Sequence, residues 1–285
     1  MSWAAAACNI LGSYRFQLRL RGDLPARLSY ASLYWGSYLY AKHVKGVAPA
    51  ELNFWALKFL GKTGRTARRV KVQLPDGAWL KVDQLTCFMV LKEICADRIY
   101  EFPGRDFAAR PGEVVFDVGA QQGTYTTLCA RRVGAEGLVV SFEPEPGNFS
   151  ALKENLALNG FSDASVLALA LSDKKGRLTL HQNPYNTGGH SLTHDEGGAG
   201  VQVEVSTLDD VIAERKLPEP DLLKIDVEGS ALAVLRGGAG LLARKKPRVA
   251  LELDRLEDEA AARALLEPLG YRVERRSNNL FAWPG

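Results

Sequence analysis

The chain is poor in cysteine: four residues in 285, Cys8, Cys87, Cys95 and Cys129, none in C-x-x-C spacing. Neither a zinc cluster nor a disulfide framework is indicated, and a reducing compartment is expected. No apolar run approaches the roughly 18 residues of a membrane span, and the opening, MSWAAAACNILG, lacks the basic stretch of a signal peptide. These absences predict a cytoplasmic protein without a membrane span. One more bears on ligand chemistry. A G-x-G-x-x-G turn counted from Gly119 needs glycine at 121 and 124, where the chain has Gln121 and Thr124, so a dinucleotide pyrophosphate is denied close approach.

What is present is an ordinary globular composition, 46% apolar and 24% charged, enough for a sizeable core and roughly two domains. The net charge of +3 conceals an asymmetry. Residues 1–112 carry 17 Lys/Arg against 8 Asp/Glu, whereas the remainder carry 19 against 25. The densest basic run, Lys62, Arg65, Arg68, Arg69 and Lys71, either faces an anionic substrate or partner such as RNA, or is a solvated face.

The most informative stretch is VVFDVGAQQGTYT, 114–126. It reads as a strand, a glycine-bracketed turn and a helix start. Gly119 and Gly123 leave room for backbone near a ligand, Thr124 is expected to cap the helix, and Asp117 ends the strand, where open α/β sheets bind ligands. Twenty residues past Gly123, GLVVSFEPEP reads as a second buried strand ending in Glu143. A carboxylate there accepts both hydroxyls of a ribose and repels a 2′-phosphate. A nucleoside cofactor without phosphates suits this pair.

Beyond 113 the pattern alternates strand and helix as in a parallel sheet with crossover helices. Strands are predicted near 113–118, 138–143, 165–170, 221–226, 247–252, 270–275 and 279–283, with helices at about 124–133, 146–158, 229–236 and 255–268. The last two strands are separated by a hairpin-length turn, so the final one should be antiparallel. Residues 176–206 read as an inserted β-hairpin whose glycine-rich tip, 183–200, suits covering or reading a substrate. Upstream, 26–60 look helical, with a stripe of Tyr30, Tyr34 and Tyr38 read as packing. Residues 67–82 read as a hairpin turning at Pro75, Asp76 and Gly77, and 88–101 as a helix.

In order, LPDG (74–77), IYEF (99–102), the 114–126 motif, SFEPEPGNFSALKENLALNG (141–160), ALSDKKGRLTL (170–180), GGHSL (188–192), VSTLDDVI (205–212) and DLLKIDVEGSALAVLRGG (221–238) resemble the FkbM family of S-adenosylmethionine-dependent methyltransferases. The resemblance spans roughly 70–255. Gln121 and Gln122 depart from its usual loop, commonly Asn followed by an apolar residue. The fold implied is α/β, a class I methyltransferase (Rossmann-like) sheet, mostly parallel with an antiparallel last strand, plus an N-terminal helical and hairpin extension and a β-hairpin insertion. The expected domains are a basic, substrate-facing region, 1–112, and a cofactor domain, 113–285, with the insertion at 176–206. The cofactor implied is S-adenosylmethionine. By resemblance Asp117, Gly119, Ala120 and Gly123 would cradle its methionyl part, with Tyr125 and Thr126 alongside. Glu143 would hold the ribose, Pro144 would pack near adenine, Asp173 beside Ser172 would accept from the adenine amine, and Tyr100 would act as a lid.

Transfer from a sulfonium requires alignment above all. A hydroxyl acceptor also needs a base or a metal at the sheet's carboxyl edge. Asp226 and Glu228 in KIDVEG, and His190 in the glycine-rich loop, are the candidates, and Lys224 lies two residues before Asp226. Each has a plainer role open to it: Asp226 as helix cap or anchor of the cofactor's amino group, Glu228 as an acid favoured by a helix dipole, His190 as a solvated loop residue. No metal ligands are assigned, and a divalent metal is left open. The expected reaction is O-methylation of a sugar or natural-product-like acceptor. The rivals are an RNA methyltransferase using the basic region and a non-catalytic subunit of the same fold. Asn183, Pro184 and Tyr185 imitate an amino-methylating motif but sit in the insertion rather than after the fourth strand, and are read as a decoy.

Overall fold

A computed structural model describes residues 12–43, 68–102, 104–105, 107–161, 165–184, 186–195, 197–253, 255 and 257–285. Lys62, Arg65 and Tyr185 lie outside these residues, as does the predicted helix beyond 43. The chain divides into two compact units, 1–97 with Pro184–Gly188, and Arg98–Asn183 with Gly189–Gly285. Among the described residues no helix is long and apolar enough to cross a membrane.

In the first unit, helix α1 (12–19) is followed by β1 (Arg21–Gly22), α2 (Leu24–His43), β2 (Arg69–Gln73), β3 (Trp79–Asp83) and α3 (Gln84–Phe88). The predicted turn joins β2 to β3, which pair antiparallel with Val70, Val72, Leu80 and Val82 buried. The tyrosine stripe is packing where its side chains are described: Tyr30 and Tyr34 are buried against Phe88, with ring centroids 6.0 and 4.9 Å away. Of the basic run, Arg69 donates to the Lys81 carbonyl and Lys71 lies 4.8 Å from the Trp79 ring, so both serve the hairpin itself. The helix predicted over 88–101 is displaced. It begins at Gln84, where Asp83 caps it by accepting from Thr86 N at 2.8 Å, then breaks into Val90–Lys92 and a π-turn, Glu93–Asp97.

The second unit is built on strands β4 (Val114–Val118), β5 (Leu138–Phe142), β6 (Val166–Leu167), β10 (Leu222–Ile225), β11 (Arg248–Glu252), β12 (Tyr271–Arg276) and β13 (Asn279–Pro284), in the order β12-β13-β11-β10-β4-β5-β6. β4, β5, β6, β10 and β11 run parallel, while β13 pairs antiparallel with β11 and β12, as predicted. All four residues of β10 are buried, the pattern of a central strand covered on both faces. Helices α4 (Thr124–Val133), α5 (Pro146–Leu158), α6 (Leu208–Arg215), α7 (Ala231–Gly237), α8 (Ala239–Arg244) and α9 (Asp258–Leu266) connect the strands. α6 and α8 were not foreseen. Thr207 caps α6 by accepting from Asp210 N at 3.0 Å, and Asp209 and Asp210 complement its dipole.

Two expectations need correcting. The third strand is not continuous: after β6 the chain passes to β7 (Ala170–Leu171), which joins the hairpin strands β8 (Gly176–His181) and β9 (Gly200–Ser206) in a separate three-stranded sheet. Thr124 is not the cap of α4. Gly123 holds that position in a left-handed conformation, and Thr124 is the first helical residue.

Candidate functional site

The turn after β4 is shaped by its neighbours. Gly119 has φ +78, and a Cβ there would fall 1.8 Å from the Asp226 carbonyl oxygen, so β4 and β10 approach too closely for any side chain. Gly119 N and Ala120 N both donate to the Phe142 carbonyl, at 3.0 and 3.1 Å, tying the turn to the end of β5. Gln121 has φ +51 and donates from its backbone to Glu143 Oε2 at 2.7 Å. Gly123, at φ +84, packs where a Cβ would meet Leu152 at 2.4 Å.

Glu143 is 5% exposed. Its Oε1 accepts from Glu145 N at 2.9 Å. Burial pushes its carboxyl up to about 7, against the opposing pull of the Glu145 and Gln121 amides. A buried carboxylate with two donors still gains from further hydroxyl donors, so the residue fits the sugar-holding role expected of it.

Asp117 is turned inward. Its side chain is fully buried, Thr126 Oγ1 donates to Oδ2 at 2.6 Å, and Lys224 Nζ lies 3.0 Å from Oδ1. Lys224 is itself buried and donates to the Gly119 carbonyl at 2.7 Å. Burial alone would pull the lysine down, but Asp117 and Asp226 outweigh it and hold the ammonium above its ordinary range. The loss of one member of a buried pair of this kind costs about 3–5 kcal/mol.

Asp226 follows β10, and its side chain is 31% exposed. Its Oδ2 accepts from the Tyr100 hydroxyl at 2.7 Å, and Glu252, at the end of β11, accepts from the same hydroxyl at 3.1 Å. Tyr100 is buried, its ring edge-on to Tyr125 with centroids 5.3 Å apart. Burial first, then Asp226 and Glu252, raises its phenol well above the ordinary value. The residue expected as a lid is therefore a buried donor beneath the carboxylate edge.

The turn after Asp226 is unusual. Glu228 has φ +22, a conformation that costs a non-glycine residue about 1–3 kcal/mol. Its carbonyl accepts from Ser191 Oγ at 2.7 Å, and a Cβ on Gly229 would meet Thr193 Oγ1 at 2.6 Å. Ser191 Oγ also accepts from Thr193 N and His194 N, at 3.1 and 3.2 Å. The loop after His190 is thus locked onto the KIDVEG turn. His190 Nδ1 accepts from Asn183 N at 2.9 Å, which ties the ring to the start of its own loop. Of the expected catalytic residues, Asp226 is placed at the carboxyl edge beside Gly119, while Glu228 contributes its carbonyl to the lock.

Ser172 and Asp173 follow β7 on the small sheet. Ser172 N donates to Ser206 O at 2.9 Å, and Asp173 Oδ2 lies 3.3 Å from Arg236 Nε. Pro144 is partly buried between Glu143 and Glu145. Among the described residues no group of three His, Cys, Asp or Glu side chains comes together as a metal site would require. Reading the sequence missed the roles of Lys224, Glu252 and Ser191. The register Lys224↔Asp117, the pairing of β10 with β11 and the return of the hairpin loop onto His181 create them, and none is local in sequence.

The model of the methyltransferase FkbM domain matches residues 117–273, more than half of the chain. The chain belongs to the FkbM methyltransferase family. As an FkbM-family member it is an S-adenosylmethionine-dependent methyltransferase. It is 30% identical over 245 residues to 31-O-demethyl-FK506 methyltransferase FkbM of Streptomyces tacrolimicus, covering 74% of this chain and 92% of that one. Hexuronic acid methyltransferase AglP of Haloferax volcanii is 29% identical over 131 residues, 45% of this chain and 51% of its own length. The chain therefore spans about half of that relative. The 2-O-methyltransferase NoeI of Sinorhizobium fredii is 26% identical over 158 residues, 48% of this chain and 62% of that one.

Proposed function

We propose that this FkbM-family enzyme methylates a hydroxyl of a sugar or natural-product-like acceptor, with Asp226 as general base. The observation that carries the reading is the state of the Asp226 carboxylate: partly exposed at the sheet's carboxyl edge, with Oδ2 held by Tyr100 and Oδ1 left to meet an acceptor. A hydroxyl is a poor nucleophile until its proton has somewhere to go, and a positioned carboxylate is worth about 10²–10⁴ in rate. The names of the relatives point the same way, with a hexuronic acid, a 31-O position and a 2-O position as the acceptors they state.

Bound S-adenosylmethionine supplies a methyl group on a sulfonium. Glu143 would hold the ribose hydroxyls, and the Gly119–Gly123 turn, with Tyr125 behind it, would accommodate the methionyl end. Asp117, whose two oxygens already have partners, supports the turn from beneath. Asp226 Oδ1 receives the acceptor's proton while Tyr100 keeps the carboxylate oriented. The low cysteine content, without C-x-x-C spacing, supports placing the enzyme in the cytoplasm.

The test is transfer of labelled methyl to a panel of methyl hexosides and hexuronides. Asp226→Asn should lower transfer about 10²–10⁴-fold while the Kd for S-adenosylhomocysteine stays within about threefold, a small fraction of one such effect. Equal losses in transfer and binding would remove Asp226 from the role of base. Label found on amines or in RNA, and not on hydroxyls, would overturn the acceptor class.

A further inference from the structure

We infer that Lys224 is the positioning residue that joins the cofactor turn to the catalytic carboxylate, by gripping the Gly119 carbonyl. The inference rests on the S-adenosylmethionine reading of the site and assigns a role to a side chain outside the expected cofactor and catalytic sets.

The lysine stands on the central strand β10, in register with Asp117 on β4, so its ammonium rises between the two strand ends. There it is 3% exposed and meets atoms of both: Gly119 O at 2.7 Å, Asp117 Oδ1 at 3.0 Å, Val118 O at 3.5 Å and Asp226 Oδ2 at 3.6 Å. The Tyr100 ring lies 5.3 Å away, adding its π-face to the same charge. An ammonium has three donors arranged as a compact point charge, which suits oxygens converging from several directions better than a planar guanidinium would.

Gly119 shows why the grip matters. A glycine has no side chain through which packing could fix its conformation, and here it must hold φ +78. Its two peptide groups are secured from opposite sides: its N–H by the Phe142 carbonyl at 3.0 Å, its C=O by Lys224. Release of the carbonyl leaves the peptide leading to Ala120 held only through its N–H, on the Phe142 carbonyl at 3.1 Å, and loosens the approach to Gln121, whose backbone N–H sets one oxygen of Glu143. A lysine that merely neutralised Asp117 would need no contact with Gly119.

These two roles separate in a pair of variants of the full chain, measured by thermal melting and by calorimetric titration with S-adenosylhomocysteine. Lys224→Met alone strands a buried carboxylate and is expected to melt early. The double variant Asp117→Asn/Lys224→Met removes both charges and should melt within a few degrees of wild type, yet bind at least about tenfold more weakly than Asp117→Asn alone, the loss of roughly one charge-assisted hydrogen bond's worth of ordering. Equal binding by Asp117→Asn and the double variant would overturn the inference and leave Lys224 as a counter-ion. Should the double variant not fold, Lys224→Arg decides: it keeps the charge beside Asp117 but displaces the donor from Gly119, so weakened binding in a stable protein supports the grip and undiminished binding refutes it. Wild-type protein that does not bind S-adenosylhomocysteine would overturn the cofactor reading itself, and this inference with it.

Discussion

The two halves of the site are held by different means. Around 117–126 and Glu143 the geometry is set by backbone amides and by charges withdrawn from water, with Asp117, Thr126 and Lys224 all buried. Around 226–229 it is set by side-chain hydroxyls: Tyr100 on Asp226, Ser191 on the Glu228 carbonyl. The first arrangement is sheltered from changes at the surface, because its donors are main-chain amides or the buried side chains of Thr126 and Lys224. The second depends on single side chains drawn from distant segments, and it faces a partly open edge. That division suits a family whose methyl donor is constant while the acceptor named differs among relatives, from a hexuronic acid to 31-O-demethyl-FK506.

The sharpest way to break the comparison is at the junction. Gly119→Ala would place a Cβ 1.8 Å from the Asp226 carbonyl at a φ that disfavours side chains, so β4 and β10 must part or the turn must flip. The expected cost is above about 3 kcal/mol, at the upper end of single-residue effects, with S-adenosylhomocysteine binding lost in titration. Because the clash is with Asp226, both halves should fail together. An alanine variant that binds normally would show that the halves are joined less tightly than this contact implies.

On the proposed reading Glu143 acts on the cofactor half alone, and it offers a two-sided pH test. Its folded carboxyl, at about 7, stands above the ordinary carboxylate value of 4.5. The folded state therefore holds a proton that the unfolded state has released between those values, so this residue's contribution to stability is complete below about 4.5 and is lost as pH rises through 7. The full change is about 3 kcal/mol. Cofactor hydroxyls favour the ionised form, so binding should run the other way: affinity falls about tenfold per pH unit below 7, with proton release on binding. Titration in two buffers of different ionisation enthalpy measures that proton, and Glu143→Gln should abolish both slopes. A binding constant flat from pH 5.5 to 8 would remove Glu143 from the ribose.

The difference between the halves also explains what could be read from the sequence. The buried parallel strands β4, β5 and β10 announce themselves as apolar runs, and the glycine turn and Glu143 follow from them by spacing alone. The acceptor side does not, because its contacts are made by register and by loop return. Lys224 meets Asp117 through the pairing of β10 with β4. Glu252 meets Tyr100 across 152 residues, and Ser191 reaches Glu228 because the hairpin folds back on His181. The third strand misled for a similar reason: Val166–Leu167 and Ala170–Leu171 form one apolar run in sequence, but each finds a different sheet. Asp117 ends a strand, a position that in sequence points to a ligand. Its neighbour in register is a lysine, and the buried pair turns it inward.

The smallest expected effect tests the first of the turn's two departures from the family pattern. Gln121 sits at φ +51, in the left-handed region, and its backbone N–H serves Glu143. Asparagine tolerates that region better than glutamine, because its short side chain bonds the local backbone. Gln121→Asn keeps the donor and relieves part of the strain, so stability should rise by about 0.5 kcal/mol, or about 1–2 °C in Tm for a domain of this size. A fall in Tm instead would mean that the glutamine side chain secures the turn by more than its backbone strain costs. The cofactor half would then depend, at this one position, on a side chain in the manner of the acceptor half.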